Sequence, residues 1–375
     1  MERDQALKFM HDLLRLMLQK NGSDLFITAG FPPAIKVDGR IVPQSNQILQ
    51  PQHTTELARA IMNDRQAADF ETHKECNFGI SPAGIGRFRA NAFVQQGRVA
   101  LVLRTIPQKI PNFKELGLPP VLTEIALAKR GLVIFVGGTG TGKTTSLASL
   151  VDYRNENTYG HIITIEDPIE FVHQHKNCIV SQREIGIDTE SWMSALKNTL
   201  RQAPDVILMG EIRDRETMDY AIAFAETGHL CLATLHTTSA IGSINRIVDV
   251  FPAHQQSQIR QVLSFVLEGV ISQTLIPRAS GTGQVLAAEV MIPTPAIRNL
   301  IREDKLHQVY SQMQIGQSKF GMQTMNQSLL DLYLKKAISL PDALACASEV
   351  DELKTMILNA GGSLGNVAPP VSIRR

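Results

Sequence analysis

Residues 132–144 read LVIFVGGTGTGKT and contain the pattern GxxxxGK[ST] directly after five apolar residues. The apolar run predicts a buried strand, and the residues from Lys143 onward predict a helix. Glycines in such a loop let successive backbone N–H groups point at phosphate oxygens, and the helix N-terminus adds its positive dipole. Lys143 reaches the β- and γ-phosphates of ATP, and the Thr144 hydroxyl ligates Mg²⁺. The predicted phosphate-binding loop, or P-loop, consists of Gly137, Gly138, Thr139, Gly140, Thr141, Gly142, Lys143, Thr144 and Thr145.

Strand and helix signals alternate along the chain after this loop. The predicted strands are 161–166, 205–209 and 230–235, and the predicted helices are 190–200, 215–226 and 238–248. Such alternation is typical of a mostly parallel sheet with covering helices. A helix is predicted over 119–130, and from about residue 252 the pattern is mainly helical. Pro252 suits the start of a helix and Pro277 its end.

The first 105 residues have a different pattern, which predicts a small α+β domain. Its helices are predicted at 4–20 and 53–70, and its strands at 24–28, 34–37, 77–80, 87–94 and 99–104. Asp38-Gly39 is a hairpin-turn signal. Two prolines mark a linker over 106–113, which leads to a second domain, over 114–360, that contains the P-loop. Residues 361–375 have few large apolar side chains, which predicts a flexible tail.

The composition argues against several classes of protein. Of the 375 residues, 43% are hydrophobic and 19% are charged, which is typical of a soluble globular protein. Lys and Arg total 37 and Asp and Glu total 36. The net charge of +1 therefore gives the protein no overall positive electrostatic field that would attract nucleic acid. Four cysteines without a CxxC pair argue against disulfides and a zinc site. No apolar run approaches the roughly 18–20 residues of a membrane span, so we expect a cytoplasmic protein.

The strand at 205–209 leads to Gly210 and Glu211. A P-loop protein needs a carboxylate near the metal, and an aspartate is common where Gly210 stands. The shift by one residue suggests that Glu211 contacts Mg²⁺ through water or acts on the attacking water. The alternative is that Glu211 caps the next helix or pairs with Arg213.

The strand at 161–166 ends in a second group of acids, Glu166-Asp167-Pro168-Ile169-Glu170. These acids are expected at the carboxyl edge of the sheet, where the P-loop also lies. ATP hydrolysis needs one carboxylate to position water and accept its proton. Glu170 is the first candidate and Glu166 the second. The alternative is a purely structural turn.

Two histidines flank the strand at 230–235. His229 and His236 are seven residues apart, about 23 Å along a strand and on opposite faces, so they cannot share a metal ion. His236, at the carboxyl end, lies where a γ-phosphate sensor is expected, and His229 is a candidate sensor of a neighbouring subunit. The alternative for each is a histidine that is hydrogen-bonded at a strand boundary.

Together and in this order, these elements resemble the secretion ATPase superfamily over nearly the whole chain. Residues 137–144 match its Walker A box, 164–171 its Asp box, 205–211 its Walker B box with Gly-Glu, and 227–236 its His box. Within the superfamily the chain is similar to the type IV pilus retraction ATPases of the PilT/PilU family, with which it shares Ser23-Asp24-Leu25, Gly321-Met-Gln-Thr324 and the motif AIRNLIRE at 296–303. Residues 75–78, 200–205 and 343–358 are typical of the PilU branch, whereas an intact AIRNLIRE is typical of the PilT branch. The chain resembles the PilU branch more.

The resemblance implies a small N-terminal α+β (PAS-like) domain and a C-terminal RecA-like P-loop ATPase domain with a helical C-terminal part. It implies a homo-hexameric motor that uses ATP and Mg²⁺ to retract pili. The ring is expected at the cytoplasmic face of the inner membrane, against a pilus platform protein and with a PilT-like ring as a further candidate partner. No nucleic-acid partner is expected. The resemblance also implies that Arg87, Arg89 and Arg104 reach phosphates, the alternative being a solvated strand face.

Residues 294–303 also have a pattern of their own. Thr294-Pro295 predicts a helix start. Ala296, Ile297, Leu300 and Ile301 form an apolar stripe, with Arg298 and Arg302 predicted to face outward. The pattern alone indicates an ordinary surface helix, and the resemblance implies a lever that couples nucleotide state to the pilus platform.

Two other functions fit parts of the pattern. A nucleic-acid motor of the ring-helicase type has the same P-loop chemistry, but the net charge and the aromatic content of 5% argue against it. A low-turnover accessory partner of a PilT-like ring would retain nucleotide binding. The acids at 166, 167, 170 and 211 argue against simple loss of catalysis.

Overall fold

The computed structural model describes residues 2–37, 39–107 and 109–364. Contacts divide the chain into two compact units. One comprises Met1–Lys109 with Glu170–Val172, and the other comprises Ile110–Ile169 with His173–Arg375. Asp38 of the predicted hairpin turn and residues 365–375 of the predicted tail lie outside the described residues.

The first unit has the predicted α+β composition. Its elements are α1 (Arg3–Gln19), β1 (Asp24–Thr28), β2 (Ala34–Val37), β3 (Arg40–Pro43), α2 (Pro51–Ile61), α3 (Asp64–His73), β4 (Glu75–Ile80), β5 (Arg87–Gln95) and β6 (Arg98–Ile106). The sheet is antiparallel, in the order β3-β2-β1-β6-β5-β4. Fully buried Leu14, Leu25, Leu57 and Phe88 lie in its core.

The prediction of one helix over 53–70 is wrong, because α2 and α3 are separate helices. The Asn63 side chain accepts a hydrogen bond from the backbone N–H of Gln66 at 2.8 Å, and the Gln66 side chain accepts one from the backbone N–H of Asn63 at 3.0 Å. This reciprocal cap starts a new helix within a segment whose apolar pattern is continuous.

The second unit contains the P-loop. Its helices are α4 (Phe113–Leu116), α5 (Leu122–Ala126), α6 (Lys143–Asn157), α7 (Trp192–Thr199), α8 (Arg215–Glu226), α9 (Ala240–Asp249), α10 (Ala253–Val266), α11 (Pro295–Arg302), α12 (Val309–Ile315), α13 (Gln317–Phe320), α14 (Met325–Leu334), α15 (Leu340–Ala345) and α16 (Val350–Asn359), with 3-10 turns at Leu200–Gln202 and Leu306–Gln308. Its strands are β7 (Gly131–Val136), β8 (Gly160–Glu166), β9 (Cys178–Glu184), β10 (Val206–Met209), β11 (Leu230–Leu235), β12 (Leu267–Pro277) and β13 (Gln284–Met291).

The seven strands form one sheet in the order β13-β12-β7-β11-β10-β8-β9. All neighbours pair in parallel except β12 with β13. The central strand β7 is buried along its whole length and lies between two apolar layers. The carboxyl ends of β7, β8, β10 and β11 therefore meet at one edge, which confirms the predicted α/β architecture.

The C-terminal part differs from the predicted, mainly helical pattern. A helix does begin after Pro252, but α10 ends at Val266 and β12 follows without an intervening turn. Pro277 therefore ends a strand, not a helix. β-branched residues are frequent in β12, and the free edge of β7 supplies its partner. The helical prediction is correct from Pro295 onward.

Two smaller differences concern the segments around the P-loop strand. The helix predicted over 119–130 is only the short α5, which follows Pro119-Pro120. The strand β9 has no counterpart in the prediction. Among the described residues, none of the helices is both long and apolar enough to span a bilayer.

The outer side of β13 is covered by the segment that precedes α14 and by α14 itself. The backbone of Val290 exchanges two hydrogen bonds with the backbone of Gln323, at 2.8 and 3.1 Å. The Ala288 N–H donates to the Ser328 hydroxyl at 3.1 Å, and the Gln323 side-chain amide donates to the Ala288 carbonyl at 2.7 Å. These bonds occupy polar groups that an edge strand otherwise presents to solvent.

Candidate functional site

The P-loop has the predicted strand–loop–helix context. It follows β7 and ends where α6 begins, at Lys143. Gly137 has φ 148° and Gly142 has φ 86°, in the region that favours glycine. A Cβ atom on Gly137 would lie 2.6 Å from the Gln273 carbonyl oxygen, so only glycine fits there.

The Lys143 ammonium group folds back onto its own loop. Its Nζ donates to the carbonyl oxygens of Gly137 and Gly138, each at 2.8 Å, and the residue is buried. Thr144 and Thr145 follow in the first turn of the 15-residue helix α6. The N-terminus of a helix and a buried ammonium group at one loop are suited to binding phosphate groups.

Glu166 ends β8 as a buried carboxylate. Its Oε1 accepts hydrogen bonds from the Thr164 hydroxyl at 2.6 Å and from the Gln182 amide at 3.1 Å. These two donors fix the carboxylate at the end of the strand. Glu170 lies in the following segment and is exposed.

Glu211 belongs to a cluster of charged side chains at the carboxyl end of β10. Its Oε2 accepts from Arg213 Nε at 2.9 Å, and its Oε1 lies 3.1 Å from His236 Nε2. Arg213 also pairs with Asp167 at 3.3 Å, and its hydrogen bond with Glu211 raises the pKa of the guanidinium. The structure therefore brings together Glu211, Asp167 and His236, with Arg213 between the two acids.

The Glu211–Arg213 pair, one of the two alternatives that the sequence offers for Glu211, is present. The other alternative, a cap on the next helix, is wrong because Asp214 caps α8 through the Thr217 N–H at 2.9 Å.

A cavity of about 190 Å³ opens beside the cluster. It is lined by Glu211, Ile212, Arg213, Asp214, Met218, Leu235, His236, Arg246 and Val250.

His229 lies at the opposite end of β11 from His236. Its Nδ1 is 3.0 Å from the Thr227 hydroxyl and 3.3 Å from the Phe224 carbonyl. It is thus hydrogen-bonded at a strand boundary and separated from the Glu211 cluster. In the described part of the chain, no group of three or more His, Cys, Asp or Glu side chains is arranged to hold a metal ion.

The three candidate arginines belong to the first unit. Arg87 and Arg89 lie two apart on β5, and the register pairs Arg89 with Arg104 on β6. Arg104 Nε donates to the buried carboxylate of Asp24 at 2.8 Å. That bond gives Arg104 a structural partner which the sequence did not indicate.

Sequence reasoning missed two side chains that shape the site. Gln182 fixes Glu166, and Gln273 contacts the P-loop. It named Arg213 as a partner of Glu211 but missed its second pair, with Asp167. The two glutamines lie on strands β9 and β12, which were not predicted, so no sequence signal indicated them.

Residues 3–331 match the family described as "Type II/IV secretion system protein". The chain belongs to this family. It is 53% identical to the type IV pilus ATPase PilU of Pseudomonas aeruginosa, over 92% of this chain and 90% of that protein. It is 48% identical to PilT, a type IV pilus retraction ATPase of the same organism, over 88% of this chain and 96% of that protein. These relatives confirm the predicted resemblance to the PilT/PilU family.

Solved structures agree with this assignment. The pilus retraction motor PilT with bound ADP superimposes with a TM-score of 0.87 and 47% identity, covering 92% of this chain and 99% of that one. The ATPase DotB of Legionella pneumophila superimposes with a TM-score of 0.78 at 26% identity, covering 94% and 96%. With the P-loop described above, this family membership identifies the chain as a nucleotide-using ATPase.

Proposed function

We propose that this ATPase is a motor that forms a homo-hexameric ring and couples ATP hydrolysis to retraction of a type IV pilus, the basis of twitching motility. The observation that carries the proposal is the alignment with a protein named as a type IV pilus ATPase, which covers about nine-tenths of this chain and of that protein. Similarity to a structure named as a pilus retraction motor supports the direction of the movement. In this proposal the ring acts at the cytoplasmic face of the inner membrane, against a platform protein, alone or with a PilT-like ring.

The proposal includes the division of the chain inferred from sequence. An N-terminal domain of residues 1–105 and a linker of 106–113 precede an ATPase domain of 114–360 and a tail of 361–375. In a ring, arginines of the N-terminal domain neutralise charge that develops on the γ-phosphoryl oxygens. Arg87, Arg89 and Arg104 are proposed for this role, with Arg104 leaving Asp24 to reach a phosphate.

The nucleotide is proposed to bind at the P-loop. Lys143 exchanges the carbonyl oxygens of its own loop for the β- and γ-phosphate oxygens. The Thr144 hydroxyl and the Glu211 carboxylate are oxygen donors of the kind that Mg²⁺ prefers, Glu211 acting directly or through water. Bound Mg²⁺ supplies positive charge that offsets charge on the phosphates.

Three carboxylates remain candidates for the group that accepts a proton from the attacking water. Glu170 is the first, and its side chain is exposed. Glu166 is the second and is held by two hydrogen bonds. Glu211 is held by Arg213, and its contact with His236 supports a role for that histidine in sensing the γ-phosphate. His229, at the far end of β11, is proposed to sense a neighbouring subunit.

The test measures ATP hydrolysis by the purified full-length chain, alone and with a PilT-like ATPase. Lys143→Ala should abolish hydrolysis and weaken ADP binding. Among Glu170→Gln, Glu211→Gln and Glu166→Gln, loss of the true base should lower kcat by about 100-fold or more with nucleotide still bound. Glu216→Gln is the matched control, because Glu216 is an exposed acid on α8.

Each outcome separates the proposal from its alternatives. Near-normal turnover by Lys143→Ala would contradict the P-loop assignment. Turnover only in the presence of the PilT-like ATPase would favour an accessory role. Salt-sensitive stimulation by DNA would favour a nucleic-acid motor. Retraction itself is scored as twitching motility in a strain that carries each variant.

A further inference from the structure

Gln273 on β12 contacts the P-loop from the side of the neighbouring strand. The residue is 2% exposed, and its Nε2 donates to the Thr141 carbonyl oxygen at 2.9 Å and to the Ser146 hydroxyl at 3.1 Å. Thr141 lies inside the loop, and Ser146 lies in the first turn of α6. One side-chain amide therefore bridges the loop and the helix that the loop opens.

The position of Gln273 follows from the register of the sheet. Ser272 pairs with Val136, the last residue of β7, so Gln273 lies beside Gly137 at the start of the loop. A Cβ atom on Gly137 would lie 2.6 Å from the Gln273 carbonyl oxygen, and a Cβ atom on Gly142 would lie 3.3 Å from Gln273 Nε2. The two ends of the loop thus pack against the same residue of β12.

The second polar atom of the amide indicates why a glutamine stands at this position. Gln273 Oε1 is buried and accepts no hydrogen bond from the described residues. Burying an unpaired acceptor costs about 1–3 kcal/mol, so an apolar side chain of the same size would serve packing better. The donor half of the amide is therefore the part that the site uses.

The bond to Thr141 sets the orientation of one peptide group. In a trans peptide the C=O and the following N–H point in opposite directions. Because the Thr141 C=O points at Gln273, the Gly142 N–H points away from β12. If this peptide turned over, a carbonyl oxygen would replace an N–H group in the loop and would repel phosphate oxygens.

We infer that Gln273 is a positioning residue of the nucleotide site, which keeps the P-loop in the conformation that binds the phosphates of a nucleoside di- or triphosphate. The inference rests on the proposal that nucleotide binds at the P-loop. Gln273 acts through the Thr141 peptide and contacts no reacting atom. Its loss therefore weakens the binding of nucleotide more than it slows the chemical step.

The test compares Gln273→Met with the wild type, because methionine keeps the volume and loses the amide. Calorimetric titration of the full-length chain with ADP should give a Kd about tenfold higher, the change expected from about 1.4 kcal/mol. The KM for ATP should rise by a similar factor, with kcat within about twofold. The matched control is Gln256→Met on α10, which removes the hydrogen bond from the Gln256 side-chain amide to the Phe251 carbonyl oxygen, and the Kd of this variant should not change.

Melting temperatures without nucleotide show whether Gln273→Met is folded. If it is not, Gln273→Glu is used, since it keeps the size and places an acceptor against the Thr141 carbonyl oxygen. Its Kd for ADP should rise by more than tenfold. The inference is overturned if the folded Gln273 variant binds ADP with an unchanged Kd while Lys143→Ala loses ADP binding. If Lys143→Ala also binds ADP normally, the P-loop assignment itself fails.

Discussion

Arg298 holds the C-terminal end of α10, and we expect Arg298→Ala to destabilise the protein by about 2–4 kcal/mol. Its Nη1 donates to the carbonyl oxygens of Ser264 at 2.9 Å and Phe265 at 3.0 Å, in the last turn of the helix. Its Nη2 pairs with Glu268 at 3.0 Å. The sequence prediction that Arg298 faces outward is therefore wrong, because its guanidinium group is bonded to the end of α10.

The magnitude follows from these three contacts. Hydrogen bonds from a charged donor contribute about 1.5–3 kcal/mol each, and the two carbonyls share one nitrogen, so their sum lies toward the lower end. The side chains of Arg298 and Glu268 are 25% and 37% exposed, which limits the ion pair to at most about 1 kcal/mol. A cation at a helix C-terminus adds a few tenths of a kcal/mol.

The assay is urea unfolding at neutral pH, with the free energy extrapolated to water. Arg302→Ala is the control, because Arg302 is exposed on the same helix and donates to Asn299. We expect it to lie within about 0.5 kcal/mol of the wild type. A loss below about 0.5 kcal/mol for Arg298→Ala would refute the reasoning. The motility of a strain that carries Arg298→Ala has to be compared with the stability of the purified variant. Unfolding alone would abolish retraction and give the same result as the loss of a lever.

Three further predictions concern packing, pH and capping. Ile297→Ala should cost about 2–5 kcal/mol because Ile297 is fully buried, whereas Leu300→Ala, which removes a partly buried side chain, should cost less than half as much in the same urea assay. Burial lowers the pKa of His173 from 6.5 to about 4, so the unfolded chain binds the proton first and stability is lost as pH falls from about 6.5 to 4. Lowering the pKa by this much corresponds to about 3 kcal/mol. Between about pH 7.5 and 4, the His173→Gln variant should therefore lose about 3 kcal/mol less stability than the wild type, measured by urea unfolding at each pH. Asn63→Ala should lower stability by about 1 kcal/mol through loss of the α3 cap, and an unchanged urea midpoint would contradict the capping argument.

The parts of the fold that were predictable have strong local signals. The bounds of α8 and β11 are those predicted, because turn residues separate a helical period from a short apolar run. β12 was missed because it begins at Leu267, directly after α10, and the nearest glycine, Gly269, lies inside the strand and not at the end of the helix. Its pairing with β7 joins residues more than 130 positions apart, which no local pattern records.

The same distinction applies to the site. The P-loop and the acids of β8 and β10 were identified because each lies in a short contiguous motif. The partners that orient them were not, since Gln182 and Gln273 reach the site across the sheet. Ala296, Ile297, Leu300 and Ile301 were expected to form one apolar stripe. The two isoleucines are fully buried and Leu300 packs partly buried against the same cluster, but Ala296 is exposed, because the stripe on α11 is narrower than the pattern suggested.

The cover over the outer side of β13 restricts how copies of this chain associate. An uncovered edge strand can pair with an edge of another molecule, which leads to sheet extension and aggregation. Here the backbone of Gln323 and the hydroxyl of Ser328 occupy the groups through which such pairing would begin. Assembly of copies of this chain therefore has to use surfaces other than the β13 edge. A truncation before residue 323 would uncover β13 and convert this sheet edge into a site for uncontrolled strand pairing.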